Sequence, residues 1–224
     1  MGIYPVPAAS AALAELALGV LDQLACALDR NDEQPNIALA EQLVAQRDHK
    51  AIATLAGALQ NASKAVANDA IKVLYEIGYR APELIAPHAG AFLSRLDASA
   101  NRQVWGALKA LETLAPLEPR LLSEHLDSIL AAADAGSVIA KDATMGVLAG
   151  LARSGHYKEV APIILDRIET APVNQLPAYA EIAASVVTGP ERARLIAILE
   201  RRATSISQPA KLKRIAKVTR SLSR

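Results

Sequence analysis

Leucine, isoleucine and alanine recur every three or four residues through most of this chain, the spacing of α-helices that carry one apolar face. The pattern is plainest in Pro82–Ala115, PELIAPHAGAFLSRLDASANRQVWGALKALETLA, which reads as two helices joined by an Asp97-Ala-Ser-Ala turn. Displaced by 37 residues, the same plan returns as PRLLSEHLDSILAAADAGSVIAKDATMGVLAGLA. In the first helix of successive units Ile85, Ala89 and Leu93 match Leu122, Leu126 and Leu130, then Val160, Ile164 and Ile168. In the second helix Leu108, Leu111 and Leu114 match Ile71, Leu74 and Ile77 behind, and Met145, Leu148 and Leu151 ahead. One helix pair cannot bury such a stripe by itself, so each unit must stack on its neighbours. The period predicts a helical solenoid and, taken alone, no particular chemistry.

A helix, an Asp-containing turn and a second helix with an alanine-rich inner face resemble the HEAT and armadillo repeat superfamily. The segment VANDAIKVLYEIG, Val66–Gly78, is similar to the second helix of a HEAT unit, and the resemblance covers roughly residues 47 to 205. The turn Asp is present at Asp97 and Asp134 and replaced at Asn61 and Ala171. A basic residue early in the second helix stands at Lys141, with Ala67 and Val104 at the matching positions. The resemblance implies a curved scaffold that binds partners, in a superfamily of which a minority acts on nucleic acid. The expected fold is therefore all-α, a right-handed α-α superhelix (α-solenoid) of about five HEAT-like helix pairs.

Composition strengthens the all-α reading. Of 224 residues 47 are alanine, whereas aromatics make up only 3%. Alanine has the highest helix propensity and lets helices approach closely, and a sheet would call for more β-branched and aromatic residues. Ala8–Leu28 reads as a helix, Arg30–Pro35 as the polar turn that ends it, and Asn36–Gln46 as a second helix. These N-terminal helices, within residues 1–46, are expected to cap the array as an atypical first unit. Four further units follow at about 47–79, 81–115, 118–153 and 155–188, with Gly78, Gly155 and Gly189-Pro190 at helix ends. One domain is expected, residues 1–207 forming the solenoid and 208–224 a basic amphipathic helix belonging to it.

Charge is unevenly placed. The chain as a whole carries a formal net charge of +1, yet from Glu191 onward ten Lys or Arg face only Glu191 and Glu200. Leu212, Ile215, Thr219 and Leu222 fall on one helical face, Lys213, Lys217 and Arg220 on another, and Ser207-Gln-Pro209 marks the start. Arg201, Arg202, Lys213, Arg214, Lys217 and Arg220 are thus candidates for contact with an anion or a nucleic acid. The plainer reading is the polar outer face of a terminal repeat. Membrane binding is disfavoured because this helix lacks the Trp or Phe that anchors interfacial helices. No membrane span is expected, since Ala8–Leu28 carries Glu15, Asp22 and Gln23. The first basic residue is Arg30, which does not suit a secretory signal, and Cys26 is the single cysteine. A cytoplasmic location is expected.

Trp105, the only tryptophan, shares a second-helix face with Arg102, Lys109 and Glu112. One repeat back Asn68, Lys72 and Tyr75 occupy the corresponding positions, and Lys141 lies one repeat ahead. Asn68, Lys72, Trp105, Lys109 and Lys141 are the candidate partner-binding ladder, with the Trp as anchor. The plainer reading packs Trp105 as filling between units. His88 and His125 repeat at 37 residues, but stacked helices hold them too far apart for one metal, and no cysteine or carboxylate cluster completes a site.

Motifs of catalysis are absent: there is no G-x-S-x-G, P-loop, H-E-x-x-H or C-x-x-C. Alkylpurine DNA glycosylases, a HEAT-like enzyme group, imply a basic groove lined with several aromatics and a catalytic Asp. This chain offers Trp105 and Phe92 on an acidic body, and no Asp matches that role. The expectation is a non-enzymatic scaffold for protein–protein interaction without a cofactor. The alternatives are nucleic-acid binding through the basic C-terminal region and, behind it, such a glycosylase.

Overall fold

The computed structural model describes residues 19–223, which are α-helical with no β-strand among the described residues. The chain divides into two compact units, residues 1–91 and 92–224.

The first unit is built on α1 (Gln34–Gln46), α2 (His49–Asn61) and α3 (Lys64–Arg80). Asp48 caps α2 by accepting the Ala51 N–H at 2.9 Å, and Ser63 caps α3 by accepting that of Val66 at 3.4 Å. Helix α3 packs against both α1 and α2. Ile71, Leu74 and Ile77, the residues the repeat placed inside, are fully buried there against a core that includes Leu39, Leu43, Ile52 and Leu55. Each such side chain contributes roughly 1.5–3 kcal/mol of transfer free energy. Gly78, predicted to end a helix, instead lies buried in the last turn of α3.

The sequence departs from its expected form at the N-terminus. Residues 8–18 of the helix predicted over Ala8–Leu28 lie outside the described residues. Its remainder is a single tight turn, Val20–Gln23, followed by irregular backbone. Side chains of the neighbouring helices hold that backbone in place. Asn36 accepts the Ala25 N–H at 3.0 Å and Asp69 accepts the Cys26 N–H at 2.7 Å. These donors would otherwise have gone to an intrahelical carbonyl.

The segment after α3 also breaks the predicted pattern. Pro82 and Pro87 divide it into two short 3₁₀ turns, Pro82–Leu84 and Ala86–His88, ahead of α4 (Ala89–Leu93). The inward face shifts accordingly: Ile85 and Ala89 are buried as predicted, but Phe92 and Leu96 are buried in place of Leu93.

The second unit contains α5 (Asn101–Leu114), α6 (Pro119–Glu124), α7 (Leu126–Ala135) and α8 (Val138–Leu151). They are followed by α9 (Tyr157–Thr170), α10 (Leu176–Ala184), α11 (Pro190–Ala203) and α12 (Pro209–Leu222). The second helices stack in order, α5 on α8, α8 on α10 and α10 on α12, and α9 packs on α11. Leu108, Leu111, Leu114, Met145, Leu148 and Leu151 are all buried in these contacts. The α5–α8 approach is close because α8 presents two glycines: Glu112 lies over Gly146, and the Ala115 methyl lies over Gly150. Gly155 (φ 98°) turns the chain between α8 and α9, and Gly189 (φ 59°) opens α11, both in backbone conformations that favour glycine. Helix α12 packs on both α10 and α11. The basic segment is therefore the second helix of an ordinary pair rather than an addition to the stack.

Candidate partner-binding face

In the first unit the predicted ladder residues are largely turned to the protein's own use. Lys72 is 6% exposed, and its ammonium pairs with Glu33 at 2.8 Å and Glu76 at 2.9 Å. It also lies 4.9 Å from the centre of the buried Tyr75 ring, which meets Tyr79 edge-on. Burial disfavours the charged lysine, but the hydrogen bonds to Glu33, Tyr75 and Glu76 outweigh it and its pKa is raised. Burial likewise opposes ionisation of Glu76, and Lys72 and Arg80 outweigh it, so the Glu76 pKa falls. Arg80 bridges Glu76 and, at 3.0 Å, Glu41. Lys72 has no capacity left for a partner, and Asn68 beside it is half-buried. The network was hidden from the repeat comparison because Glu33 is supplied by the residue preceding α1.

In the second unit the corresponding side chains face outward. Trp105 is half-buried on α5, with the Arg102 guanidinium 5.9 Å and the Lys109 ammonium 5.8 Å from its ring centre. Both fall within cation–π range. The i, i+3, i+7 spacing read from the sequence thus assembles one aromatic and two cations on a single surface. The plainer reading of Trp105, as filling, is satisfied only by its buried half.

Lys141, on the first turn of α8, borders a cavity of about 270 Å³. Thr144, Met145, Arg167, Pro172 and Tyr179 line it as well. Arg167 holds Asp134 through two hydrogen bonds, and that pairing keeps the Asp134 carboxyl below its usual range. The buried Nε of Arg167 has no hydrogen-bond partner. Tyr179 donates to Asp142 at 2.7 Å, and burial together with that carboxylate pushes the phenol pKa up. Arg167 and Tyr179 escaped the sequence reading, which had Asp134 only as a turn residue. The one available signal was the 37-residue spacing of Asp142 and Tyr179, which matches the repeat.

Half of the predicted basic cluster is bound within the second unit. Arg202 donates to the carbonyl oxygens of Ile168, Glu169 and Ala171, closing the open C-terminal end of α9. Arg192 does the same for α12, donating to Leu222 at 2.6 Å and Ser221 at 3.2 Å. Arg201 pairs with Glu169, and Arg214 grips Glu181 with bonds of 2.9 and 2.7 Å. Lys213 and Lys217 are exposed, and Arg220, also exposed, donates to Ala216 of its own helix. Of the six candidates, Lys213, Lys217 and Arg220 are the ones not tied to another helix by a hydrogen bond or ion pair among the described residues.

The histidines are separately occupied. His125 Nδ1 lies 3.0 Å from the Leu121 carbonyl oxygen, and His156 lies 3.1 Å from Glu159. Burial and the neighbouring His49 lower the His88 pKa. No described helix is long and apolar enough to cross a membrane.

No family model matches the chain, and no curated protein matches it. Solved structures do. A designed armadillo repeat protein superposes with a TM-score of 0.58 at 13% identity, over 91% of this chain and 98% of that one. A second, solved in complex with the peptide (KR)4, superposes with a TM-score of 0.60 at 14% identity, over 92% and 98%. An engineered protein from a structural-genomics programme gives 0.57 at 14% identity, over 92% and 97%. The fold is that of the armadillo and HEAT repeats, an all-α solenoid.

Proposed function

We propose that this chain is a non-enzymatic repeat scaffold that binds a protein segment along the second-helix face of its second unit. The observation that carries the reading is Trp105, a large ring half-exposed among polar neighbours on a rigid helix. Such rings dominate binding energy because they bury much area at small entropic cost. The fold supports it: one structural neighbour was solved holding a peptide. Lys109 and Lys141 belong to the same face, whereas Lys72 serves the first unit's stability. A cytoplasmic setting belongs to the proposal, supported by the single cysteine.

Because Trp105 is the only tryptophan, its emission reports on the proposed site alone. Candidate partners captured from a lysate are to be titrated while this emission is followed. The expected result is a saturable change, and an affinity that falls at least tenfold in Trp105→Ala. Partners that bind Trp105→Ala as tightly as the unaltered protein would remove the assignment. Nucleic-acid binding through the C-terminal helix would instead appear as steeply salt-dependent binding of a DNA duplex, lost on substituting Lys213 and Lys217.

A further inference from the structure

The last helix pair of the second unit leaves a groove that no described helix covers. Earlier in the unit each helix packs against its counterpart in the next pair, α9 against α11 and α10 against α12. Helices α11 and α12 pack on each other, and between them lies an open groove of about 330 Å³. Leu199, Ala203, Leu212, Ile215, Ala216 and Thr219 line it. We infer that this groove receives the N-terminal stretch Ala8–Leu18 of a second copy of the chain, so that copies associate head to tail.

The shape of the groove calls for a helix. Its α12 wall, Leu212, Ile215, Ala216 and Thr219, falls at i, i+3, i+4 and i+7, on one helical face. Leu199 and Ile215 are buried beneath, while Ala216 beside them is exposed. The Thr219 hydroxyl donates to the Ile215 carbonyl oxygen at 3.2 Å, so this wall offers a ligand apolar surface. Two helices with such a groove between them accept the apolar face of a third, the way a repeat array is continued from one pair to the next. Ala8–Leu18, which lies outside the described residues, reads AASAALAELAL. In it Ala9, Ala12, Leu13 and Leu16 recur at the same i, i+3, i+4 and i+7 intervals, and the small Ala side chains suit a close approach to Ala203 and Ala216.

Charge selects the second copy and sets the direction of the contact. Residues 1–46 carry six acids and a single base, Arg30, whereas the segment from Glu191 onward carries ten bases and two acids. Arg220 lines the groove, and Lys213 and Lys217 share its exposed flank of α12. The acids nearby do not offset them: Glu181 is held by Arg214, which leaves Glu200 among the residues lining the groove. Two copies presenting α12 to each other would oppose like charges, so a two-fold symmetric contact through this groove is disfavoured. The acidic N-terminal region of one copy against the basic C-terminal pair of the next satisfies both apolar surface and charge.

Sedimentation velocity of the full chain over a concentration series tests this. The expected result is an average mass that rises above that of one chain with concentration and falls back as salt is raised. Ala216→Arg fills the groove while keeping its charge positive, and Leu16→Asp spoils the apolar stripe. Each should weaken association roughly tenfold, with the melting temperature of Ala216→Arg unchanged because the position is exposed. Mixed in equal amounts, the two variants should form a dimer and go no further, since one keeps the stretch and the other keeps the groove. Replacing Lys213 and Lys217 together by Gln should weaken association several-fold and flatten its salt dependence, whereas Trp105→Ala should leave it alone. A single-chain mass at every concentration would overturn the inference, the outcome if the stretch folds back on its own chain. So would association of Ala216→Arg as tight as that of the unaltered chain, or a mixture of the two variants that stays monomeric.

Discussion

Lys72 and Lys109 occupy matching positions one repeat apart, and each lies over an aromatic ring on its own helix. Their fates differ. Lys72 is buried between two carboxylates, Glu33 and Glu76, and its unit is closed around it. Lys109 stays half-exposed beside Trp105, and four residues on, where Lys72 has Glu76, stands Thr113, whose hydroxyl donates to Ala110. Lys72 thus belongs to the core of its unit, whereas Lys109 stays at the surface. A cation supplied with two close carboxylates can be desolvated.

Lys72→Ala should break this comparison most severely. It leaves the half-buried Glu76 with Arg80 as its remaining cation and empties a buried position, and a loss of about 2–4 kcal/mol is expected in urea denaturation. Peptide binding by the protein that remains folded should not change. Acid should weaken the same cluster. Because Glu76 has a lower pKa folded than unfolded, its contribution is complete above the ordinary glutamate range. It is lost as pH falls through and below about 4. A melting series from pH 6 to pH 3 should therefore show Lys72→Ala less sensitive to acid than the unaltered chain.

Within the second unit Arg202→Ala should cost about 1–2 kcal/mol, because three carbonyls at the end of α9 lose their donor. Lys213→Ala, on the exposed face of α12, should fall within about 0.5 kcal/mol by the same melt. A finer distinction lies between two glycines one turn apart. Gly150→Ala sets a methyl against that of Ala115 and should cost about 1–3 kcal/mol, since neither helix can retreat without disturbing the stack. Gly146→Ala meets the Glu112 side chain from its Cγ to its carboxylate rather than a neighbouring helix methyl, so its cost should be smaller, about 1 kcal/mol, and vanish in a Glu112→Ala background.

Much of the architecture was legible before any coordinates. Period, helix class and the inner residues of α3, α5 and α8 followed from the spacing of Leu, Ile and Met. That inference works because 3.6-residue periodicity converts directly into a buried face. Two of the first helices were read less well, because Pro82, Pro87 and the break at His125 rotate the face in mid-helix, whereas in α9 Val160, Ile164 and Ile168 are buried as expected. Trp105 and its cations were legible for the same reason as the core, being neighbours on a single helix.

What only the tertiary structure decided is the assignment of charges. Whether Lys72 serves the core and Lys141 the surface depends on Glu33, Asp134, Arg167 and Tyr179, which other helices bring in. The same holds for the basic C-terminal segment, where Arg202 closes one helix and Arg214 grips another. Apolar periodicity is a local property and survives in the sequence. Pairing of charges is a property of distance between helices, fixed only when the repeats stack.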